Sequence, residues 1–285
     1  MKKTSRDENL ARWLRKDQQA TVSKYYGLAH NFKRNEGEAP GGESRSKVLL
    51  DDPENPEILK NLVRATPSRI AVGRSGTRYL TETYLAMRAD HAIAKDAVYS
   101  EIHDDFATKL GCLPLHSRAE GREDYLLFPD KGRRLDKDSL SKLEQQGTRS
   151  MDVQVVVGDG LSAWAIERNA PEYLTSIVSE LKAAGLSYGS PVFVRLARVG
   201  VQDHVGVTLG AKATIILVGE RPGLGTGDSM SVYIAYGPKL DQDNAEKNCI
   251  SNVRPMGILP PNAARLTVEI LKKAFAAGRG GLAAQ

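Results

Sequence analysis

The apolar positions of this chain change rhythm near residue 151. From there on they gather into short runs: VQVVV at 153–157, PVFVRL at 191–196, ATIILV at 213–218 and SVYIAY at 231–236. Unbroken runs of branched residues suit strands buried on both faces, as in a parallel sheet. Helical spacing fills the intervals. A helix is expected from about Ser162, whose hydroxyl is a natural N-cap. A second is expected over 171–184, opening on Pro171 and placing Tyr173, Ile177, Leu181 and Ala184 on one side before Gly185 stops it. Residues 203–209 read as a short helix or loop, and a last helix starts at Pro260 and Pro261 with Ala264, Val268, Leu271 and Phe275 as its apolar face. The tail at 278–281 is expected to fray. This alternation predicts an α/β fold, a Rossmann-like, mostly parallel sheet flanked by helices.

Upstream the pattern is mainly helical. Helices are expected over 56–64, 81–98 and 139–146, with Tyr84, Met87, Ala94 and Val98 on the buried side of the second. Residues 70–72 read as a short strand ended by a turn at 73–76, and 126–134 as a strand-to-turn passage whose Arg133 and Arg134 suit either a phosphate clamp or plain surface. Asp90, His91, Lys95 and Asp96 lie close together on a helix, where they form either a charged network or a solvated face. Residues 1–32 suggest one or two short helices, with Leu10, Trp13 and Leu14 on a narrow apolar stripe, and 33–47 read as a polar linker. The expected division is a polar N-terminal extension and linker at 1–53, a mainly helical region at 54–150, and a Rossmann-like domain at 151–285.

Composition narrows the class. The chain has 285 residues, 41% hydrophobic and 26% charged, as in ordinary globular proteins. No apolar stretch approaches the roughly 18 residues of a membrane span, and the basic N-terminus lacks an apolar signal core, so no membrane association is expected and the protein is expected to be intracellular. The net charge of +5 comes with mixed signs and no basic stripe interleaved with aromatics, so no nucleic-acid partner is expected. Cys112 and Cys249 do not form a CxxC pair and are expected as thiols.

The chemistry concentrates at 209–225, LGAKATIILVGERPGLG, where a buried strand stops at Gly219 and Glu220 stands at its edge. Ligands of open α/β sheets bind beyond the carboxyl ends of strands. The ends of the first three predicted strands along one rim bring Asp159, Val199 and Glu220 to one cleft, within reach of a loop holding Cys249, NCISN. GDGLSA at 158–163 fits the loose dinucleotide fingerprint in its proper strand-to-helix context, although the next strand ends in RLAR rather than an acidic residue; arginine there would suit a 2′-phosphate. There is no GxxxxGK[ST], no GxSxG and no DxHxxG, and the five histidines lie in different segments without metal-ligand spacing, so no protein metal site is expected. The cleft combines apolar wall, cations and one carboxylate but no nucleophile with its base. Three readings stay open on the residues: a holder of a large cofactor, an NADP-dependent oxidoreductase, and a non-catalytic nucleotide-binding or assembly module.

DVQVVVGDGLSAWAI, PVFVRLARV, LGAKATIILVGERPGLG and CISNVRPMG, in this order and spacing, resemble the small (light) subunit of ethanolamine ammonia-lyase, as do RIAVGRSGTR, RADHAIAKDAV and FPDKGRRL upstream; the likeness covers about residues 60–277. The resemblance implies an adenosylcobalamin-dependent lyase that converts ethanolamine to acetaldehyde and ammonia by a radical route. It implies a hetero-oligomer in which the large subunit binds ethanolamine and carries the catalytic groups, none being assigned to this chain. The cofactor would lie between the subunits, with cobalamin contacts here at Val199, Glu220 and Cys249. Val199 would supply apolar contact, Glu220 acceptor oxygens and Cys249 a small packing group. The resemblance also implies a cytoplasmic location or the interior of a bacterial microcompartment, with the N-terminal extension serving solubility or loading.

Overall fold

A computed structural model describes residues 48–281 except 51, 67 and 225. The apolar stripe at Leu10, Trp13 and Leu14, the linker at 33–47 and Gly225 lie outside the described residues. The chain divides into two compact units, Met1–Ala94 and Lys95–Gln285.

In the first unit, helix α1 (Pro56–Ala65) is capped by Asn55, whose side chain accepts from the Ile58 N–H at 3.0 Å, with proline at the first turn and Glu57 and Arg64 matched to the helix dipole. The strand expected at 70–72 does not form: Ala71 sits at φ +55, outside the β region. A two-stranded antiparallel ribbon follows instead, β1 (Arg74–Ser75) with β2 (Arg78–Tyr79), turning through Gly76 at φ +61. Helix α2 (Thr81–Tyr99) forms as expected. Its buried positions are Thr83, Ala94 and Ala97, whereas Tyr84 is exposed and accepts a hydrogen bond from Arg88. Asp90 pairs with Arg69 rather than its helix neighbours, and His91, Lys95 and Asp96 stand exposed, so the charged network does not assemble.

The second unit is built on a six-stranded sheet. It contains α3 (Phe106–Lys109), β3 (Leu113–His116), α4 (Arg122–Leu127), α5 (Lys137–Gln146), β4 (Val153–Gly158), α6 (Ala163–Ala183), β5 (Val192–Arg195), α7 (Val201–Leu209), β6 (Ala213–Gly219), β7 (Met230–Tyr236), β8 (Lys247–Val253) and α8 (Pro260–Ala277). The strand order is β3-β5-β4-β6-β7-β8, the first four mutually parallel and β7 antiparallel to both neighbours. The fold is thus α/β with a mostly parallel sheet flanked by helices. β3 was not apparent in the sequence, being four residues with a proline at an edge, where a missing donor costs least. The passage at 126–134 is not a strand: α4 ends at Leu127 and a 3₁₀ turn follows at Lys131–Arg133.

Both faces of the sheet are buried. Val155, Val157, Ile215, Leu217, Val232 and Ile234 lie under Ile166, Tyr173, Ile177 and Leu181 of α6 and Val268 and Leu271 of α8. The opposite residues, Val156, Val194, Ile216 and Val218, pack on Leu143 of α5 and Val201, Val205 and Leu209 of α7. Each such side chain contributes about 1.5–3 kcal/mol by leaving water. This is why α6 runs unbroken through Pro171 where two helices were expected: Ile166, Ala170, Tyr173, Leu174 and Ile177 form one buried face across the proline, offsetting a cost of about 3 kcal/mol. The tail does not fray at Gly281, because the Asn248 side chain donates to its carbonyl and accepts from its N–H, each at 3.0 Å. Among the described residues, no helix is long and apolar enough to cross a membrane.

Candidate functional site

Three strand ends build the site. β4 ends at Gly158 and turns through Asp159 and Gly160; Ser162 then caps α6, accepting from the Ala165 N–H at 3.3 Å. β5 ends at Arg195, and Leu196 follows at φ +55, a strained conformation for leucine, in a bend that carries Ala197, Arg198 and Val199 across toward α7. Asp159 is buried, and its Oδ1 accepts from the Ala197 N–H at 3.0 Å. Burial raises its pKa, opposed by backbone N–H groups and Arg122. Asp159 therefore secures the bend from beneath and is not among the cleft-lining residues.

The glycine-rich turn is filled by the protein itself. Gly160 has φ +62, and a Cβ there would lie 2.6 Å from both the Gly219 nitrogen and Val218 Cγ2. The Leu161 N–H donates to the Gly219 carbonyl at 2.9 Å, and Arg122 donates to the Gly160 carbonyl at 2.9 Å. The glycines thus serve the close approach of two strand ends, in the place where a dinucleotide would need the backbone for its pyrophosphate. Of the two arginines in RLAR that would suit a 2′-phosphate, Arg195 is engaged by Asp104 at 2.7 Å and the Ile102 carbonyl at 3.1 Å, and Arg198 donates to the Tyr125 carbonyl at 2.9 Å. Neither feature favours NADP.

Beyond this turn opens a cleft of about 350 Å3. Val199, Glu220 and Cys249 all line it, so the structure brings together the three positions singled out in the sequence. Leu161, Ala197, Val199 and Val218 supply its apolar wall; Arg198, Arg221, Glu220, Ser231, Tyr233, Cys249 and Ser251 supply its polar groups, with Tyr125 at the base. Cys249 comes from a strand rather than a loop. In β8, buried Asn248 and Ile250 alternate with exposed Cys249 and Ser251, a period of two that is the signature of a strand. On β7, half-buried Tyr233 stands between buried Val232 and Ile234, whereas Ser231 is itself buried. Alternation was thus an available signal for Tyr233 but not for Ser231, which only the β6–β7 pairing places beside Glu220.

Glu220 is half-buried and tied down. Its Oε1 accepts from the Ser231 hydroxyl at 2.6 Å and from the Asn252 N–H at 2.9 Å, while its own N–H donates to the Ser229 carbonyl at 2.9 Å. Burial works to raise its pKa, but the hydrogen bond from Ser231, that from Asn252 and the charge of Arg254 outweigh it, and the carboxyl is held below its ordinary value. It is an anion at neutral pH. Desolvation raises the Cys249 thiol despite its hydrogen-bonding neighbours Tyr233 and Ser231, and pushes the Tyr233 hydroxyl up to about 12. Both stay protonated at neutral pH, so the cleft offers hydrogen-bonding and packing groups rather than a nucleophile. Among the described residues there is no cluster of three or more histidine, cysteine or carboxylate side chains suited to a metal ion.

Comparison with known proteins gives the same family on two grounds. The family described as ethanolamine ammonia-lyase light chain (EutC) matches residues 56–284. The ethanolamine ammonia-lyase small subunit of Fusobacterium nucleatum subsp. nucleatum is 40% identical over 237 residues, which is 83% of this chain and 80% of that protein.

Proposed function

The chain belongs to the ethanolamine ammonia-lyase light-chain family as a small subunit, and from that premise we propose that its cleft holds part of an adenosylcobalamin shared with a large subunit. The observation that carries this reading is the joint lining of one cleft by Val199, Glu220 and Cys249. The donor set fits the group. A corrinoid brings its cobalt already ringed by nitrogens, so the protein needs no metal-ligand cluster; it needs an apolar wall and polar groups for peripheral amides and hydroxyls. Val199 and Val218 are that wall. Ser231 and Asn252 engage Glu220 Oε1, which leaves Oε2 as the acceptor offered to a ligand amide or hydroxyl. Cys249 is a small group on which the ligand packs.

Size supports a shared site. A corrinoid is far larger than a 350 Å3 cleft, so this chain is one wall and the large subunit the other. When bound, the cofactor supplies the radical chemistry that converts ethanolamine to acetaldehyde and ammonia. This chain positions and shields it and contributes no catalytic residue, so activity requires the large subunit, which also binds ethanolamine. The 151–285 segment is the cobalamin-binding domain, with Tyr125 joining it from upstream. The site of action is the cytoplasm or the interior of a bacterial microcompartment, and the 1–53 extension serves solubility or loading.

The test is reconstitution. Purified chain, large subunit and adenosylcobalamin together are expected to deaminate ethanolamine, and either protein alone is not. Glu220→Ala is expected to weaken cobalamin binding by the assembled complex in a titration. No deamination by the mixture, or NADPH binding by this chain alone, overturns the reading.

A further inference from the structure

Two arginines that line the cleft, Arg198 and Arg221, make no ion pair among the described residues. The Arg198 guanidinium stacks over the Tyr125 ring with 4.1 Å to the centroid, and its Nη2 donates to the Tyr125 carbonyl at 2.9 Å, while its buried Nε has no partner. Arg221, which also lines the cleft, is exposed and makes no hydrogen bond or ion pair among the described residues. Burial lowers the Arg198 pKa, Tyr125 works against that, and the cations Arg221, Arg122 and Arg133 lower it further. Glu220 lines the same cleft as an anion, but its Oε1 is held by Ser231 and Asn252 and it forms an ion pair with neither arginine, while Asp159 is held by the Ala197 N–H. Arg122 is spent on the carbonyls of Val98, Gly160 and Ser100. Cations held near one another without a direct ion pair repel, and an arriving anion would relieve that repulsion.

We propose that Arg198 and Arg221 form an anion subsite at the edge of the cleft, and that it takes a phosphate ester, the phosphodiester of cobalamin's nucleotide arm. The identity of the ester rests on the cobalamin reading above. Cobalamin's peripheral side chains are neutral amides, so the phosphodiester is the one peripheral group whose charge calls for arginine. The guanidinium fork matches phosphate oxygens, and Tyr125 holds Arg198 in place so that little side-chain freedom is lost on binding.

The experiment compares two corrinoids on the complex of this chain with its large subunit. Cyanocobalamin carries the nucleotide arm; dicyanocobinamide lacks it. Binding is followed by visible absorbance for the wild type, Arg221→Met and Arg198→Met, with thermal unfolding as the check on folding. Arg221 is exposed and free of bonds, so its variant reads the charge even where loss of Arg198 disturbs Tyr125. Each variant is expected to bind cyanocobalamin about tenfold more weakly, the worth of a charge-assisted hydrogen bond, and dicyanocobinamide unchanged. Equal losses on both corrinoids, or no loss on either, overturn the proposal. If the wild type binds neither corrinoid, the cobalamin reading falls and the subsite is judged on inorganic phosphate alone. Thermal stabilisation by phosphate that Arg221→Met abolishes then supports an anion site for a free phosphate, and stabilisation equal in both proteins overturns it.

Discussion

Tyr233 on β7 and Cys249 on β8 are paired across the antiparallel ladder, and both line the cleft. Their pairing places the Cys249 sulfur against a tyrosine instead of a cation, and desolvation raises the thiol pKa. An exposed cysteine here is therefore a poor thiolate source.

Alkylation checks this directly. At pH 7 the thiolate fraction of Cys249 lies below that of an unperturbed cysteine, because its pKa stands above the ordinary value. Iodoacetamide labelling followed by mass spectrometry is expected to modify Cys249 several-fold more slowly in the folded protein than in urea. Cys112, buried and pushed up to about 12, stays unlabelled in the native state. Native labelling of Cys249 as fast as in urea would contradict the assignment.

Gly160 is predicted to be intolerant of a side chain. Gly160→Ala places a Cβ against the Gly219 backbone at a residue with φ +62. Both the backbone strain and the collision act against folding, and a loss of about 2–4 kcal/mol is expected by urea denaturation. A loss under about 0.5 kcal/mol, the size of a typical surface substitution, would show that the strand ends separate easily.

Lys247 and Asp203 form a buried ion pair, Nζ to Oδ2 at 2.8 Å, with side chains 0% and 1% exposed. The Lys247 ammonium also donates to the Gln242 carbonyl and Asn244 Oδ1. Lys247→Met leaves the Asp203 carboxyl buried without its cation and is expected to cost about 3–5 kcal/mol. Lys247→Met with Asp203→Leu is expected to recover most of that loss, since the penalty lies in the unpaired charge. Additive losses in the double variant would refute this account.

Asp152 accepts hydrogen bonds from the Ser187 hydroxyl at 2.7 Å and the Ser187 N–H at 3.0 Å and pairs with Lys212 at 2.9 Å. The Ser187 hydroxyl first, then the Lys212 ammonium and the Ser187 N–H, lower its pKa from 3.8 to about 2. The folded value lies below the unfolded one, so this stabilisation is fully present above 3.8 and is lost as pH falls toward about 2. Allowing for the solvent that reaches the pair, it amounts to about 1–2 kcal/mol. Asp152→Asn is expected to lose that amount at pH 7 in urea melts and to show a smaller further loss than the wild type on acidification from pH 4 to about 2. Identical acid profiles would count against it.

The sequence by itself determined the class of the fold and pointed to three positions that line one cleft. Runs such as 153–157 and 213–218 are apolar on both faces, which is a local property, and only a covered, mostly parallel sheet satisfies it. The positions Val199, Glu220 and Cys249 came from motif resemblance, and they line one cleft. Tertiary structure alone decided the rest. Pro171 ends a helix by local rules, yet α6 continues because a face buried against α8 and the sheet outweighs one lost hydrogen bond. GDGLSA reads as a phosphate cradle, yet its space is taken by Gly219, sixty residues downstream in round figures and adjacent only because β4 pairs with β6. Ser231 and Tyr233 carry no motif, and what brings them to the same cleft as Arg198 and Arg221 is the juxtaposition of strands and loops that are distant in the chain. Periodicity reports how each segment meets the core, whereas a cleft depends on which segments meet one another.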